Sequence, residues 1–457
     1  MTPSARGHDV YDSARRQWWL VIVLLLVSTL AAIDRQVIAL LVDPIRAYLH
    51  ITDTGISLIL GAAFGLSNTL FTLPAGYLAD RVSRRGLILA GALVWSLMTM
   101  ACGVAASFAQ LFLARAGLGF GESVISPSAT SMLRSALSPE RRARGFSVFS
   151  MSFTGGSSLA LIAGGLLIGV LTASGPHHIP LLGPVLPWQL MLILIGLAGF
   201  PVCLLVLTVA EPPRLSHPTR PGPPASSETR PVAAGGYLHA WCLIRNRWTL
   251  YVPLLVFQLA MLMLSLSYAA WLPAMVGRLW GLSYAQIGLT LGLMMLCLPP
   301  VGLWIAGQLM DSAAARHGVR GPVAVGCLAT SLVAVAATAT PLAPSLPAFW
   351  VMFGALMLVS GTVFPIVATV TASVTPEGSM GKITAMQFFL AGLIAPVLGP
   401  TVVARVSDVF FNGRGALAHA MSAVCGLYSA LSLLGLVLVL RSLKLARPIA
   451  ALNSSDA

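Results

Sequence analysis

Four charged residues fall deep inside apolar stretches of this chain: Asp34, Arg35, Arg115 and Glu122. A charge in a hydrocarbon core costs several kcal/mol, by contested values from roughly 2.5 upward. Residues of this kind persist where they pair, bind a solute or carry a proton. Arg115 and Glu122 are seven positions apart, so on a helix they share a face, about 10 Å apart along the axis. Asp34 and Arg35 are neighbours and point about 100° apart. A carboxylate in a dry site is pushed toward its neutral form, and a nearby arginine pulls it back. Asp34, met by Arg115 on an opposing helix, therefore reads as a proton carrier, ionised while paired and protonated once the pair separates. Arg35 joins this proton-coupling group, and Glu122 reads as part of a central cavity. A fixed ion pair that serves packing alone is the alternative. Gly117, Gly119 and Gly121 lie between Arg115 and Glu122 and read as a thin helix surface that admits a second helix.

The elements that position these residues are membrane spans. Of 457 residues, 57% are hydrophobic and only 9% are charged. A soluble domain carries about 25% charged residues, so this composition excludes an ordinary soluble protein and a disordered one. The mean hydropathy of +0.87 agrees. Apolar runs long enough to cross a bilayer fall at 18–46, 54–79, 86–106, 108–136, 143–172 and 187–210. Six more follow at 249–279, 284–309, 321–341, 346–373, 381–407 and 417–441. Spans 3 and 4 are divided only at Ser107. The fold class is all-α and integral to the membrane: twelve helices in two six-helix halves, 1–210 and 249–457, joined by a linker over 211–248.

Charge sets the orientation. With the N-terminus inside, 21 of the 27 basic residues fall on the inner side and four outside, leaving Arg35 and Arg115 within spans. This asymmetry places both termini in the cytoplasm. It also accounts for the net charge of +13 without a nucleic-acid partner. The first apolar run continues past Asp34-Arg35 and reads as a retained span, not a cleaved signal. Five of the six cysteines lie in spans and Cys242 in the linker, so neither a disulfide nor a metal site is expected. No cofactor is implied.

The halves repeat one another. Residues 51–80 realign with 282–311 at a constant offset of 231, matching Ile56 with Ile287, Gly61 with Gly292, and Gly76…Asp80 with Gly307…Asp311. A parallel duplication of six spans is a transporter architecture. The linker opens with a proline-rich stretch that cannot pack a core. Its end, 237–248, reads equally as a surface-lying helix or a plain connector.

Span 2 leaves the membrane through Gly76-Tyr-Leu-Ala-Asp80-Arg81-Val-Ser-Arg84-Arg85-Gly86. Gly76 would permit close helix contact, and Asp80 would face a neighbouring helix N-terminus and the arginines beside it. Alone, Arg84 and Arg85 read as a basic loop that sets topology. The whole pattern resembles the loop signature of the major facilitator superfamily, with Asp311 marking a decayed second copy, and Gly76, Asp80, Arg81, Arg84, Arg85, Gly86 and Asp311 read as its conformational gate, in which Asp80 controls the equilibrium without touching solute. A narrower resemblance rests on Asp34-Arg35, on Arg115-Ala-Gly-Leu-Gly-Phe-Gly-Glu122, and on Pro139-Glu140-Arg141-Arg142-Ala-Arg144. These are similar to the Spinster-like branch in its bacterial form, which is linked to export of sphingosine phosphate and lysophospholipids. Branches that carry hexuronates or aromatic acids share part of the pattern. Span 5 lacks the Gly-Pro signature common in proton antiporters, which leaves direction open.

The resemblance implies a secondary active transporter of the inner membrane, working as a monomer by alternating access and coupled to protons. Gln258, Tyr268 and Gln387 are the second-half residues expected to line the cavity with Glu122. A wall charged on one side and apolar on the other suits an amphipathic, lipid-like solute; a small organic acid is the alternative. The chain contains no His-Glu-x-x-His, no Gly-x-Ser-Gly and no phosphate-binding Gly-rich loop with Lys, so intramembrane catalysis and direct ATP drive have no support in the sequence. A receptor or scaffold built on a transporter fold is the remaining class.

Overall fold

A computed structural model describes residues 11, 13–175, 177–179, 183–214, 237–361 and 364–445. Residues 215–236 of the linker lie outside them. The chain forms two compact units: Met1–Gly222 with Ala269–Leu296, and Pro223–Tyr268 with Cys297–Ala457.

The first unit begins with α1 (Ala14–Val37), which runs through a 3-10 turn into α2 (Val42–Leu49). The short α3 (Asp53–Ser57) leads through a π-helical stretch, Leu58–Ala63, into α4 (Phe64–Arg81). Next come α5 (Arg84–Gly103), α6 (Phe108–Ser123), α7 (Ile125–Ala136), α8 (Pro139–Ala173) and α9 (Pro187–Leu207). Helix starts follow their caps. The hydroxyls of Ser13, Thr52, Ser83 and Ser107 each accept a main-chain N–H of the first turn that would otherwise lack a partner. Ser107 is indeed the divide between spans 3 and 4. Between α8 and α9 a small antiparallel hairpin pairs β1 (His177–Ile179) with β2 (Gly183–Val185).

The second unit holds α10 (Tyr237–Asn246), most of α11 (Trp248–Trp280) and the later part of α12 (Tyr284–His317). It continues through α13 (Arg320–Ala339), α14 (Leu346–Ser360), α15 (Phe364–Val374), α16 (Glu377–Phe410) and α17 (Ala416–Leu445). The last turns of α11 and the start of α12, as far as Leu296, belong to the first unit.

Among the described residues, eleven helices are long and apolar enough to cross a membrane. The expected fourth span is absent from that set for a physical reason. It is broken at Val124 into α6 and α7, of 16 and 12 residues, and it carries Arg115 and Glu122. The expected tenth span is likewise two helices, α14 and α15, and Pro365 sits at the start of the second, where its missing N–H costs nothing.

The internal repeat extends beyond the residues that match. His50 has φ 52°, the only left-handed non-glycine among the described residues, and its counterpart at offset 231 is Gly281, with φ 65°. Two residues on, Thr52 caps the N–H of Gly55 and Ser283 caps that of Gln286, again at equivalent positions. The same turn and cap thus start both copies although the residues differ. The copies part at their ends. Asp80 is the penultimate residue of α4, whereas α12 runs on past Asp311 to His317, so Asp311 is not at a helix exit as expected.

Helices in lipid gain little from burying apolar surface against one another and instead rely on close backbone approach. In the first unit, a Cβ on Gly119 would lie 2.5 Å from the Phe64 carbonyl oxygen, and one on Gly121 2.7 Å from the Trp95 nitrogen. The thin face read from Gly117, Gly119 and Gly121 is therefore where α4 and α5 meet α6. Gly196 brings α9 equally close to the Ser96 carbonyl of α5.

Candidate functional site

The first unit seals Asp34 completely and leaves the Arg35 side chain 46% exposed, as their 100° separation on α1 requires. Arg35 Nη2 lies 2.7 Å from Glu122 Oε2. The Asp34 carboxylate instead accepts a hydrogen bond from the Thr99 hydroxyl of α5. Arg115, also buried, reaches the main-chain carbonyl of Asp34 with Nη1 at 3.5 Å, not its carboxylate. The expected Asp34–Arg115 ion pair is thus replaced in this conformation by an Arg35–Glu122 pair. The rotation of α1 decides this, since it turns Arg35 toward Glu122 and Asp34 toward α5.

Phe64, the first residue after the π-helical stretch, lies under both cations. Its ring centroid is 4.9 Å from Arg35 Cζ and 5.6 Å from Arg115 Cζ. Three buried polar atoms of the cluster have no partner: Asp34 Oδ1, Arg115 Nε and Glu122 Oε1. Buried polar atoms in native proteins are nearly always satisfied, so a solute, water or proton is the expected complement. Beside the cluster lies a cavity of about 280 Å³. Arg35, Glu122, Asn68 and Thr72 form a polar wall, and Phe149 and Phe153 an apolar one.

The second-half residues are all buried in the second unit. Tyr268 donates its hydroxyl to the Ala337 carbonyl at 2.6 Å, an ordinary contact between helices. Gln258 Oε1 and Gln387 Nε2 are buried without a partner.

The loop after α4 is organised differently from the expectation. Gly76 makes no close approach, because a Cβ there would meet nothing within 4 Å. Asp80 is exposed and carries no ion pair among the described residues, and Asp311 is exposed too. Arg81 lies over the Tyr77 ring at 4.0 Å. Arg84 is far from a simple topology signal. It is 2% exposed, pairs through Nε with Glu211 Oε1 at 2.8 Å, and donates through its Nη atoms to Ser131, Ser135 and the Pro212 carbonyl. Glu211 also accepts from the Ser83 hydroxyl and the main-chain N–H groups of Arg84 and Arg85. A carboxylate at the start of α5 meets the positive end of the helix dipole. Arg85 donates to the Leu207 carbonyl, and Gly86 donates to Ser83. Burial pushes the Glu211 carboxyl up, but Arg84 and these donors outweigh it and hold it below the usual carboxylate range. Tyr11 docks beside them, its hydroxyl on the Ala210 carbonyl, and burial with the Glu211 charge pushes that phenol up to about 12.

At the other end of α1, Arg278 binds two acids of the first unit. It meets Asp43 Oδ1 at 2.7 Å and Asp53 Oδ2 at 2.6 Å, and Arg46 adds a contact to Asp53 at 3.0 Å. Asp53 is nearly sealed, so it carries two guanidinium partners in place of water. The sequence reading missed Thr99, Phe64, Glu211 and this Arg278 cluster. Only Glu211, an acid directly after an apolar span and before two prolines, offered a visible signal.

Residues 24–400 match the family model described as Major Facilitator Superfamily. The chain is 29% identical over 410 residues to an MFS-type efflux pump of Mycolicibacterium smegmatis, covering 88% of this chain and 87% of that protein. It is 31% identical over 194 residues to human protein spinster homolog 1, covering 42% of this chain and 34% of that one. Among solved structures, it resembles a bacterial homologue of the human lysosomal transporter Spinster, in an inward-facing, unoccupied conformation. That likeness has a TM-score of 0.78 at 23% identity, covers 94% of this chain and 97% of the other, and concerns the fold. The duplicated helices, the buried charges of α1 and α6 and a family match over most of the length converge on one assignment: the chain belongs to the Major Facilitator Superfamily and is a multi-pass membrane transporter.

Proposed function

We propose that the chain moves an amphipathic, lipid-like solute across the inner membrane by alternating access, coupled to protons, as a monomer with both termini in the cytoplasm. One observation carries this reading: a sealed acid, Asp34, is next in the chain to Arg35, whose pair with Glu122 lines a cavity. The cavity's size supports a head-group site. At about 280 Å³ it is at the lower bound of ligand pockets, which run from about 300 Å³. It suits a small polar group seated on Arg35 and Glu122, with an apolar part lying along Phe149 and Phe153.

Protonation of Asp34 and solute occupancy of the Arg35–Glu122 pair would be linked through the shared electrostatics of α1 and α6. Conformational control falls to the ionic clusters at the two ends, Arg84–Glu211 and Arg278–Asp43–Asp53. A second reading, uptake of a small organic acid, is favoured by the half-exposed Arg35 and the modest cavity volume. The deciding experiment places purified protein in liposomes with lysophospholipids and organic acids side by side under an imposed pH gradient. Gradient-dependent movement of lysophospholipid supports the first reading, and movement of the acid alone supports the second.

A further inference from the structure

The Thr99 hydroxyl is within hydrogen-bond reach of two acceptors, the Asp34 carboxylate and, at 3.0 Å, the Trp95 main-chain carbonyl. A threonine hydroxyl has one proton and can satisfy one acceptor at a time. Thr99 and Asp34 are both fully buried. The other Asp34 oxygen, Oδ1, has no partner at all.

These facts define two arrangements. When Asp34 carries a proton, its carboxyl O–H donates to Thr99 Oγ1, and the Thr99 proton turns to the Trp95 carbonyl. When Asp34 is bare, the Thr99 proton turns to the carboxylate, and Trp95 keeps only its helical partner. We propose that Thr99 is the positioning residue for proton release at Asp34, its hydroxyl supplying a hydrogen bond that the bare carboxylate needs in a sealed site. In the step, the Asp34 O–H bond breaks and its proton passes to a water that reaches the carboxyl when alternating access unseals the site, giving H₃O⁺, while the Thr99 hydroxyl turns about its Cβ–Oγ bond; nothing is oxidised or reduced.

The surroundings make this bond decisive. The charged and titratable groups around Asp34 are Arg35 on its own helix, Arg115 and Glu122 on α6, and Cys102 on α5. Arg35 is engaged by Glu122, and Arg115 by the Asp34 main-chain carbonyl and the Phe64 ring. Along α1, α8 carries no charged residue after Arg144; α9 offers only Cys203 and α7 only Arg134, in its last turn. Thr99 is therefore the one side chain that donates to the Asp34 carboxylate among the described residues. Hydrogen bonds to a charged group are the strong ones, and they favour the ionised form. Ser96, one turn away on the same helix, lies against Gly196 and Gly199 of α9, so a shift of α5 would be passed to α9.

This inference rests on Asp34 being the proton carrier, and the test separates the two. The protein is purified at full length and titrated by infrared difference spectroscopy, without substrate. The Asp34 carboxyl C=O band is assigned by its loss in Asp34→Asn. In Thr99→Val, which keeps the shape and removes the donor, the pH at which the band disappears moves upward by about one unit. In Thr99→Ser it stays with the wild type. Thr99→Ala replaces Thr99→Val if the latter does not purify as a folded protein. A wild-type band that titrates and a folded Thr99→Val protein with the same midpoint would overturn the role of Thr99. A wild type with no titrating band lost in Asp34→Asn would overturn the proton-carrier reading itself, and this inference with it.

Discussion

Arg35 and Glu122, 87 residues apart in the chain, meet at 2.7 Å, while Asp34, next to Arg35, turns away from both into α5. Adjacent residues on one helix thus serve two compartments, one sealed and one open to the cavity. Glu122→Gln removes the charge of the pair and keeps its shape. Solute binding to purified protein should weaken by roughly tenfold, the worth of one charge-assisted hydrogen bond. The thermal midpoint should move by only a few degrees, because Arg35 is half exposed and keeps water as a partner. Calorimetric binding and a thermal scan check both; a collapse in stability with unchanged affinity would make the pair a packing device.

Arg84 and Glu211 are expected to control the conformational equilibrium without touching solute. Glu211→Gln should lower turnover several-fold and leave binding within a few-fold, and Asp80→Ala should do less, since Asp80 is exposed. The pH dependence follows from the depressed Glu211 carboxyl. Its folded value lies below its unfolded one, so its contribution to stability is complete at neutral pH and fades as pH falls through the folded value. Thermal scans of wild type and Glu211→Gln should therefore converge under acid conditions; curves that stay parallel would remove Glu211 from the clamp.

Arg278 carries most of the neutralisation of a nearly sealed Asp53. Removing Arg278 leaves the buried Asp53 charge with Arg46 alone, so the cost should approach but not exceed the roughly 3 kcal/mol of an uncompensated buried charge. Arg278→Ala should be strongly destabilised, and Asp53→Asn added to it should recover part of the loss. Equal stability of the single and double variants would contradict a charge-based clamp.

Two glycines give opposite expectations. Gly119→Ala drives a methyl group to 2.5 Å from a main-chain oxygen of α4 and should cut the yield of folded protein severely. Gly76→Ala meets nothing within 4 Å and should fold like the wild type. Size-exclusion profiles of the two variants check the contrast.

Much of the fold was legible because bilayer burial and helix capping are local rules. The spans, the Ser107 divide, the repeat and the glycine face of α6 all follow from residue type and spacing. What failed was rotational. Sequence gives the 100° between Asp34 and Arg35 but not which of them faces α6, so the Arg115 and Glu122 partners were exchanged. Thr99 was invisible because a hydroxyl bonded back to its own helix is common in spans. The partner of Arg84 was not legible, because Glu211 lies 127 residues away beyond four further helices. Asp80 and Gly76 drew attention through a motif whose contacts they do not make in this conformation.

The central claim is that Asp34 carries the coupled proton. Asp34→Asn, purified and placed in liposomes, keeps the size and the Thr99 contact but cannot be ionised. With lysophospholipid as the probe, accumulation driven by an imposed pH gradient should vanish, while exchange in the absence of a gradient persists. An Asp34→Asn protein that still concentrates the probe against its gradient, with protons as the sole driving force, would contradict the account.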